Sequence, residues 1–232
     1  MRGWPVSAEL STPVYVDDHL AHHERLAGGP GAITPLPLLR PPTRVTRELL
    51  ESLYGQAGVV RPAGDELHPA ITHAPTRRFL AEVGLPADGL HQPVRPGGAR
   101  RFAEPLTASW PGSVDELRAC AGLPADLGAL FLLDGLDTWH LFLDGRTGVV
   151  YEAHEALETA RVAHHDVESY AYFVYVVHRE RRLWCEGRGA HREAAYWCAE
   201  DLTLELHTYE PAAMTGEDAL WPPTLQDYTL LT

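Results

Sequence analysis

The stretch ALFLLDGLDTWHLFLDGRTGVVY, residues 129–151, decides the fold. Ala129–Leu133 is an apolar run followed by Asp134-Gly135. Thr138–Leu143 is a second run, followed by Asp144-Gly145-Arg146-Thr147-Gly148, and Val149-Val150-Tyr151 is a third. Asp-Gly steps between apolar runs are hairpin signals, because glycine supplies the positive φ that tight turns between twisted strands require. The pattern predicts a three-stranded antiparallel meander with a turn at each Asp-Gly.

Downstream, Val167–His178 reads two ways. Val167, Tyr170, Ala171, Val174 and Val177 fit a helical stripe, while the β-branched and aromatic content of Tyr170–Val177 equally suits a buried strand. Arg192–Leu206 reads as a helix with Ala195, Cys198, Leu202 and Leu206 on one face. The tail from Tyr209-Glu210-Pro211 to Trp221-Pro222-Pro223 sets aromatics between turn residues.

Upstream, Ser113-Val114-Asp115-Glu116 matches the capping box and predicts a short helix to Cys120. Residues 87–112 are rich in proline and glycine and read as irregular. Thr76–Val83 is a predicted helix with Thr76 as N-cap, Phe79, Leu80 and Val83 as its apolar stripe, and Gly84 as its stop. Arg44–Tyr54 is another, stopped by Gly55. Residues 1–43 read as an N-terminal extension, with a short strand at Val14-Tyr15-Val16 and helix-breaking prolines from Pro30 to Pro42.

The chain has 232 residues and a formal charge of −13, and all of its 19 basic residues are arginine. Asparagine and lysine are both absent, which suggests a GC-rich, bacterial genome. Residues 1–112 carry 11 acids and 11 arginines; residues 113–232 carry 21 acids and 8 arginines, so the whole excess lies in the second half. Nucleic acid and anionic membranes both need clustered positive charge and are not expected partners. A basic protein partner is expected instead. No apolar run approaches the roughly 18 residues of a membrane span, and the first residues contain no secretory h-region. Three dispersed cysteines, Cys120, Cys185 and Cys198, argue against a disulfide framework and against a thiolate zinc site. Together these features point to a cytoplasmic protein.

Five pieces then occur in an order that resembles a known family. Thr76-Arg77-Arg78-Phe79-Leu80-Ala81-Glu82-Val83-Gly84-Leu85-Pro86 resembles the "TR-x-FL-x-x-VGLP" opening of the SUKH superfamily in its fourth subgroup. Leu50–Tyr54-Gly55 and Leu67-His68-Pro69 resemble the lead-in to that opening. Leu141-Phe142-Leu143-Asp144 with Gly148-Val149-Val150-Tyr151 is similar to the family's hairpin, and Val167-Glu168-Ser169-Tyr170 with Phe173 sits where the family opens a helix with "NSS". Glu210-Pro211-Ala212-Ala213 followed by Trp221 resembles the family's "DP…FW" ending. Here "NSS" is reduced to Val167-Glu168-Ser169, and Glu210 replaces the aspartate.

The likeness covers residues 44–232. It implies an α+β fold with an antiparallel sheet flanked by helices, and it favours helix for Val167–His178. It also implies a non-enzymatic cytoplasmic immunity protein that binds and neutralises a cognate toxin by occlusion. The domain reading is an extension at 1–43 and one SUKH-like domain at 44–232. Two alternatives stay open: a regulatory or scaffold protein of the same superfamily, and a metal enzyme using His19, His22 and His23.

No enzyme constellation stands out. His19, His22 and His23 would share a helix face, but a fourth ligand is lacking and the segment is irregular, so they read as surface histidines. His164-His165-Asp166 reads as a solvated turn before a helix, since adjacent residues rarely face each other. No serine elbow or P-loop is present, and Cys198 falls on an apolar stripe. No cofactor and no metal site is expected. The expected partner-binding residues are Trp139 with Asp134, Asp137 and Asp144, an aromatic flanked by acids at one rim of the sheet. Tyr170, Tyr172, Tyr175 and Trp184 form a second aromatic group. The oligomeric state stays open.

Overall fold

The computed structural model describes residues 44–87, 102–110, 112–136, 139–154, 156–183, 202–215 and 219–230. Two compact units divide the chain: Thr43–Arg179, and Met1–Pro42 with Glu180–Thr232. The expected extension at 1–43 lies outside the described residues.

In the first unit, α1 (Arg47–Tyr54) starts where the Thr46 hydroxyl accepts the Leu49 N–H and ends at Gly55, whose φ is 71°. Strand β1 (Val59–Val60) follows. Helix α2 (Ala74–Glu82) leads to β2 (Leu85–Pro86), which pairs antiparallel with β1. Thr76 is not the cap of α2. Pro75 sits in the first turn, where its fixed φ suits a helix start and its missing N–H costs nothing, so the helix begins two residues earlier. Thr76 is instead buried, its hydroxyl 2.9 Å from His73 Nδ1.

Of the stretch 87–112, which was expected to be irregular, residues 102–110 are described and contain a short helix, while 88–101 and 111 lie outside the described residues. Phe102 and Leu106 are both buried, and Leu106 opens a short helix, α3 (Leu106–Ser109). Helix α4 (Val114–Ala119) carries both halves of the Ser113/Glu116 capping box.

The meander has four strands: β3 (Leu130–Leu136), β4 (Trp139–Asp144), β5 (Val150–His154) and β6 (Ala160–His164), each antiparallel to the next. Strand β6 escaped the sequence pattern. Its pairing with β5 is shifted between Val150 and Tyr151, and Ala163 and His164 are both buried, so clean alternation is lost. Asp134-Gly135 is not a turn either. The ladder continues through Asp134↔Leu141, Gly135↔His140 and Leu136↔Trp139, past a register shift between Leu132 and Asp134. The glycine that takes positive φ in this region is Gly148 (81°), in the turn after β4.

Helices cover both faces of the sheet. On one face Leu106, Leu117, Cys120 and Leu127 pack with Leu130, Phe142, Ala153 and Leu157. On the other, α5 (Val167–Leu183) brings Tyr170 and Phe173 onto His164. Residues 170–177 of α5 are all buried. A helix buried on every side carries β-branched and aromatic residues between the positions of its stripe, so its sequence suits a buried strand equally well.

In the second unit, residues 202–209 are helical (α6), at the end of the expected 192–206 helix, whose residues 192–201 lie outside the described residues. A 3₁₀ turn, Pro211–Met214, and α7 (Trp221–Leu230) follow, with Trp221 fully buried.

Candidate functional site

Strand β4 carries Trp139 at its first position and Asp144 at its last. They lie at opposite ends of the sheet, roughly 17 Å apart at about 3.3 Å per residue. The expected gathering of all three acids with Trp139 on one rim therefore does not occur: Asp144 lies at the far end, Asp134 stands opposite Leu141, two positions from the Leu136↔Trp139 pair, and Asp137 lies outside the described residues. Asp144 is 5 % exposed. Its carboxylate accepts the Arg146 N–H at 2.8 Å and the Thr147 hydroxyl at 2.7 Å, so it organises the turn from within. Burial, and then the Asp144 charge, push the Tyr151 phenol above its usual range. Asp134 is 7 % exposed and accepts the Gly135 N–H at 2.8 Å and the Tyr170 hydroxyl at 2.7 Å. Buried carboxylates need such donors, and these two aspartates find theirs inside the chain.

Trp139 is different. It is half-buried at the end of β4, where its ring stands edge-on to the exposed His154 with centroids 5.4 Å apart. On the opposite face of the same end, Trp110 stands edge-on to His140 at 4.9 Å and to Phe142 at 5.8 Å. Next to His154 along β5's inner face, Glu152 is fully buried and ion-paired with Arg161 of β6. Sequence reasoning missed Trp110, His140 and His154. The register Trp139↔His154 would have pointed to the last of these, but it is set by a turn whose length only the folded chain shows.

The residues that carry the family resemblance are structural. Arg77 donates to three backbone carbonyls, Gly64 (2.8 Å), Ile71 (3.0 Å) and His68 (3.4 Å), and so clamps the loop before α2. The hairpin turn docks on the same helix start: His73 N–H donates to Gly145 O at 2.9 Å. A Cβ on Gly148 would collide with His73 Nδ1 and come within 2.6 Å of Thr76 Oγ1. The TR-x-FL and TG-x-V pieces thus form one packed joint.

Tyr170, Tyr172 and Tyr175 are buried, with Tyr172 and Tyr175 stacked at 6.3 Å; Trp184 lies outside the described residues. His164 is completely buried, not part of a solvated turn, because it closes β6 beneath Tyr170 and Phe173. Asp166 accepts the Ser169 N–H at 2.8 Å and caps α5. Burial pushes the Cys120 thiol up, away from the reactive thiolate. Among the described residues no group of histidines, cysteines and carboxylates is arranged to hold a metal ion. His19, His22, His23, Cys185 and Cys198 lie outside them. No helix among the described residues is long and apolar enough to cross a membrane.

Tyr170→Phe tests the buried contact that takes Asp134 away from the surface. Removing one donor from a buried carboxylate should lower stability by about 1–3 kcal/mol. Urea unfolding measures it, and a change below about 0.5 kcal/mol would show that Asp134 does not depend on α5.

No curated protein and no solved structure matches the chain. One family model does match, over residues 45–227, which takes in α1, α2, the whole meander, α5 and most of α7. On that match the chain belongs to the SUKH-4 immunity protein family.

Proposed function

We propose that this protein works by binding, without catalysis: it neutralises a cognate toxin protein in the cytoplasm by covering its surface. Membership of the immunity-protein family across residues 45–227 carries this reading. The net charge of −13 supports a basic toxin domain as the partner. Not all of that charge reaches the surface. Asp134, Asp144, Glu152, Glu205 and Glu210 are buried, and Asp126 is ion-paired with Arg146. Trp139, with Asp137 two positions before it in sequence, is the contact region. Asp134 and Asp144 would act there through the shape of the sheet. Residues 44–232 are read as the binding module.

The test is to titrate the purified full chain against the toxin domain encoded next to its gene, and to co-express the two. Expected are a stoichiometric complex, rescue of growth, and association that slows as salt rises. A toxin that stays active and unbound at micromolar chain overturns the reading.

A further inference from the structure

We infer that Arg47 and Arg61 form a binding site for a small oxyanion, a phosphate or a carboxylate, where β1 meets α1. The site does not depend on the toxin-binding reading. Arg47 opens α1, Glu51 stands one turn later, and Arg61 follows β1. Arg47 Nε donates to Glu51 Oε1 at 2.6 Å, and Arg61 Nη2 lies 3.9 Å from the same oxygen. Two guanidinium groups therefore converge on one carboxylate, which can cancel only one of their charges. Among the described residues, Glu51 is the one carboxylate in ion-pair range of Arg61.

Arg61 also stands apart in its hydrogen bonding. Of the other half-buried arginines among the described residues, Arg47 donates to Glu51, Arg77 to three backbone carbonyls and Arg161 to Glu152, and Arg179 lies over the Tyr175 ring. The 3.9 Å between Arg61 and Glu51 is too long for a hydrogen bond, and the Arg61 Nε is buried with no acceptor. A guanidinium has five donors, and leaving it partly dry without acceptors is costly. The side chain is nonetheless held in place. Its stem lies against Gly84, where an added Cβ would collide with Arg61 Cγ, and Gly84, at φ 86°, leads into the strand that pairs with β1. The Arg61 side chain keeps 30 % of its surface exposed and that of Arg47 40 %, so an anion can arrive from solvent. The arginine fork suits an oxyanion, because it can meet two oxygens with charge-assisted bonds about twice as strong as neutral ones. A phosphate or carboxylate taken by both arginines supplies the missing acceptors and the second negative charge.

The experiment follows the arginine Nε–Hε signals of the full chain by NMR while inorganic phosphate, and separately acetate, is added to about 50 mM at ionic strength fixed with chloride. Arg61→Gln identifies the Arg61 signal. Expected is a saturable shift of that signal in wild type, with binding weakened about tenfold in Arg61→Gln and in Arg47→Gln, as followed through backbone signals of α1. Glu51→Gln removes the competing carboxylate and should tighten binding by about threefold, a direction that a merely structural role for Glu51 would not produce. Arg78→Gln, exposed on α2, should stay within about twofold of wild type. A response to both anions, or to phosphate alone, supports the site and distinguishes its ligand. No saturation with either anion, or the same response to chloride, overturns the inference. So does a folded Arg61→Gln that binds like wild type, or a Glu51→Gln that binds more weakly.

Discussion

Gly122→Val is expected to lower the unfolding free energy by about 4 kcal/mol or more, a large part of the roughly 5–15 kcal/mol that holds a typical domain together. Two independent causes add. Gly122 has φ of 90°, a backbone conformation that costs an L residue roughly 1–3 kcal/mol and a β-branched one most. A Cβ there would also overlap the Ala160 carbonyl oxygen, and that oxygen belongs to a strand backbone with no freedom to retreat. The close approach exists because Ala121 bridges to Thr159, and Ala160 N–H donates to Ala121 O at 2.6 Å, fastening the end of α4 to the start of β6. Gly64 is the control. It has ordinary φ and open space at its Cβ, so Gly64→Ala should change stability by no more than about 1 kcal/mol, and in the stabilising direction. Urea midpoints of the two variants decide the matter. Gly122→Val unfolding at the wild-type midpoint would mean that residues 120–122 do not lie against β6.

Phe142→Ala should cost about 3–5 kcal/mol, the usual range for deleting a fully buried aromatic ring. Phe142 is completely buried at the centre of the layer formed by α3, α4 and the sheet, with Leu106, Leu117 and Leu127 around it. Trp110 stands against its edge, and Trp110 in turn contacts His140. Little can collapse into the space, because the neighbours belong to separate elements that are each fixed elsewhere. Phe142→Leu keeps most of the volume and should cost less than about 1.5 kcal/mol. The gap between these two variants, read from thermal or urea unfolding, separates lost packing from any general intolerance at the site. Equal destabilisation by both would contradict a tightly filled layer. Phe142 and Gly122 act on the same layer, so the double variant should show non-additive costs.

What could be read from the sequence follows the range of the forces involved. The Ser113/Glu116 box and the Gly55 stop are settled by atoms within a few residues, and both appear where expected. The turn after β4 is local too: Asp144 holds it through Arg146 and Thr147. Thr76 was misplaced as a cap because proline at the preceding position starts the helix equally well, and the local signals compete. Asp134-Gly135 was misread for a longer-range reason. The dipeptide carries the same turn signal as Asp144-Gly145, but Tyr170, 36 residues away, donates to Asp134 and keeps it in the ladder.

The candidate site was legible only in part. Trp139 was visible as an aromatic among acids, and it stands half-buried at the first position of β4. Its partner His154 is 15 positions downstream and meets it only through the β4–β5 register.

By itself, then, the sequence determined the α+β class, the order of most elements, the hairpin turn at 144–148 and the family. Each of these rests on side-chain type at short spacing, which a linear chain displays. The tertiary structure alone decided which acids face inward, that Asp144 lies at the far end of β4 from Trp139, that Asp134 stays in the ladder as a buried acceptor for Tyr170, and that Leu157 takes positive φ with its side chain buried. Those outcomes depend on contacts between residues tens of positions apart. Burial then sets the cost of leaving a charge unpaired or a cavity unfilled, and that cost exceeds any local preference of the dipeptides concerned.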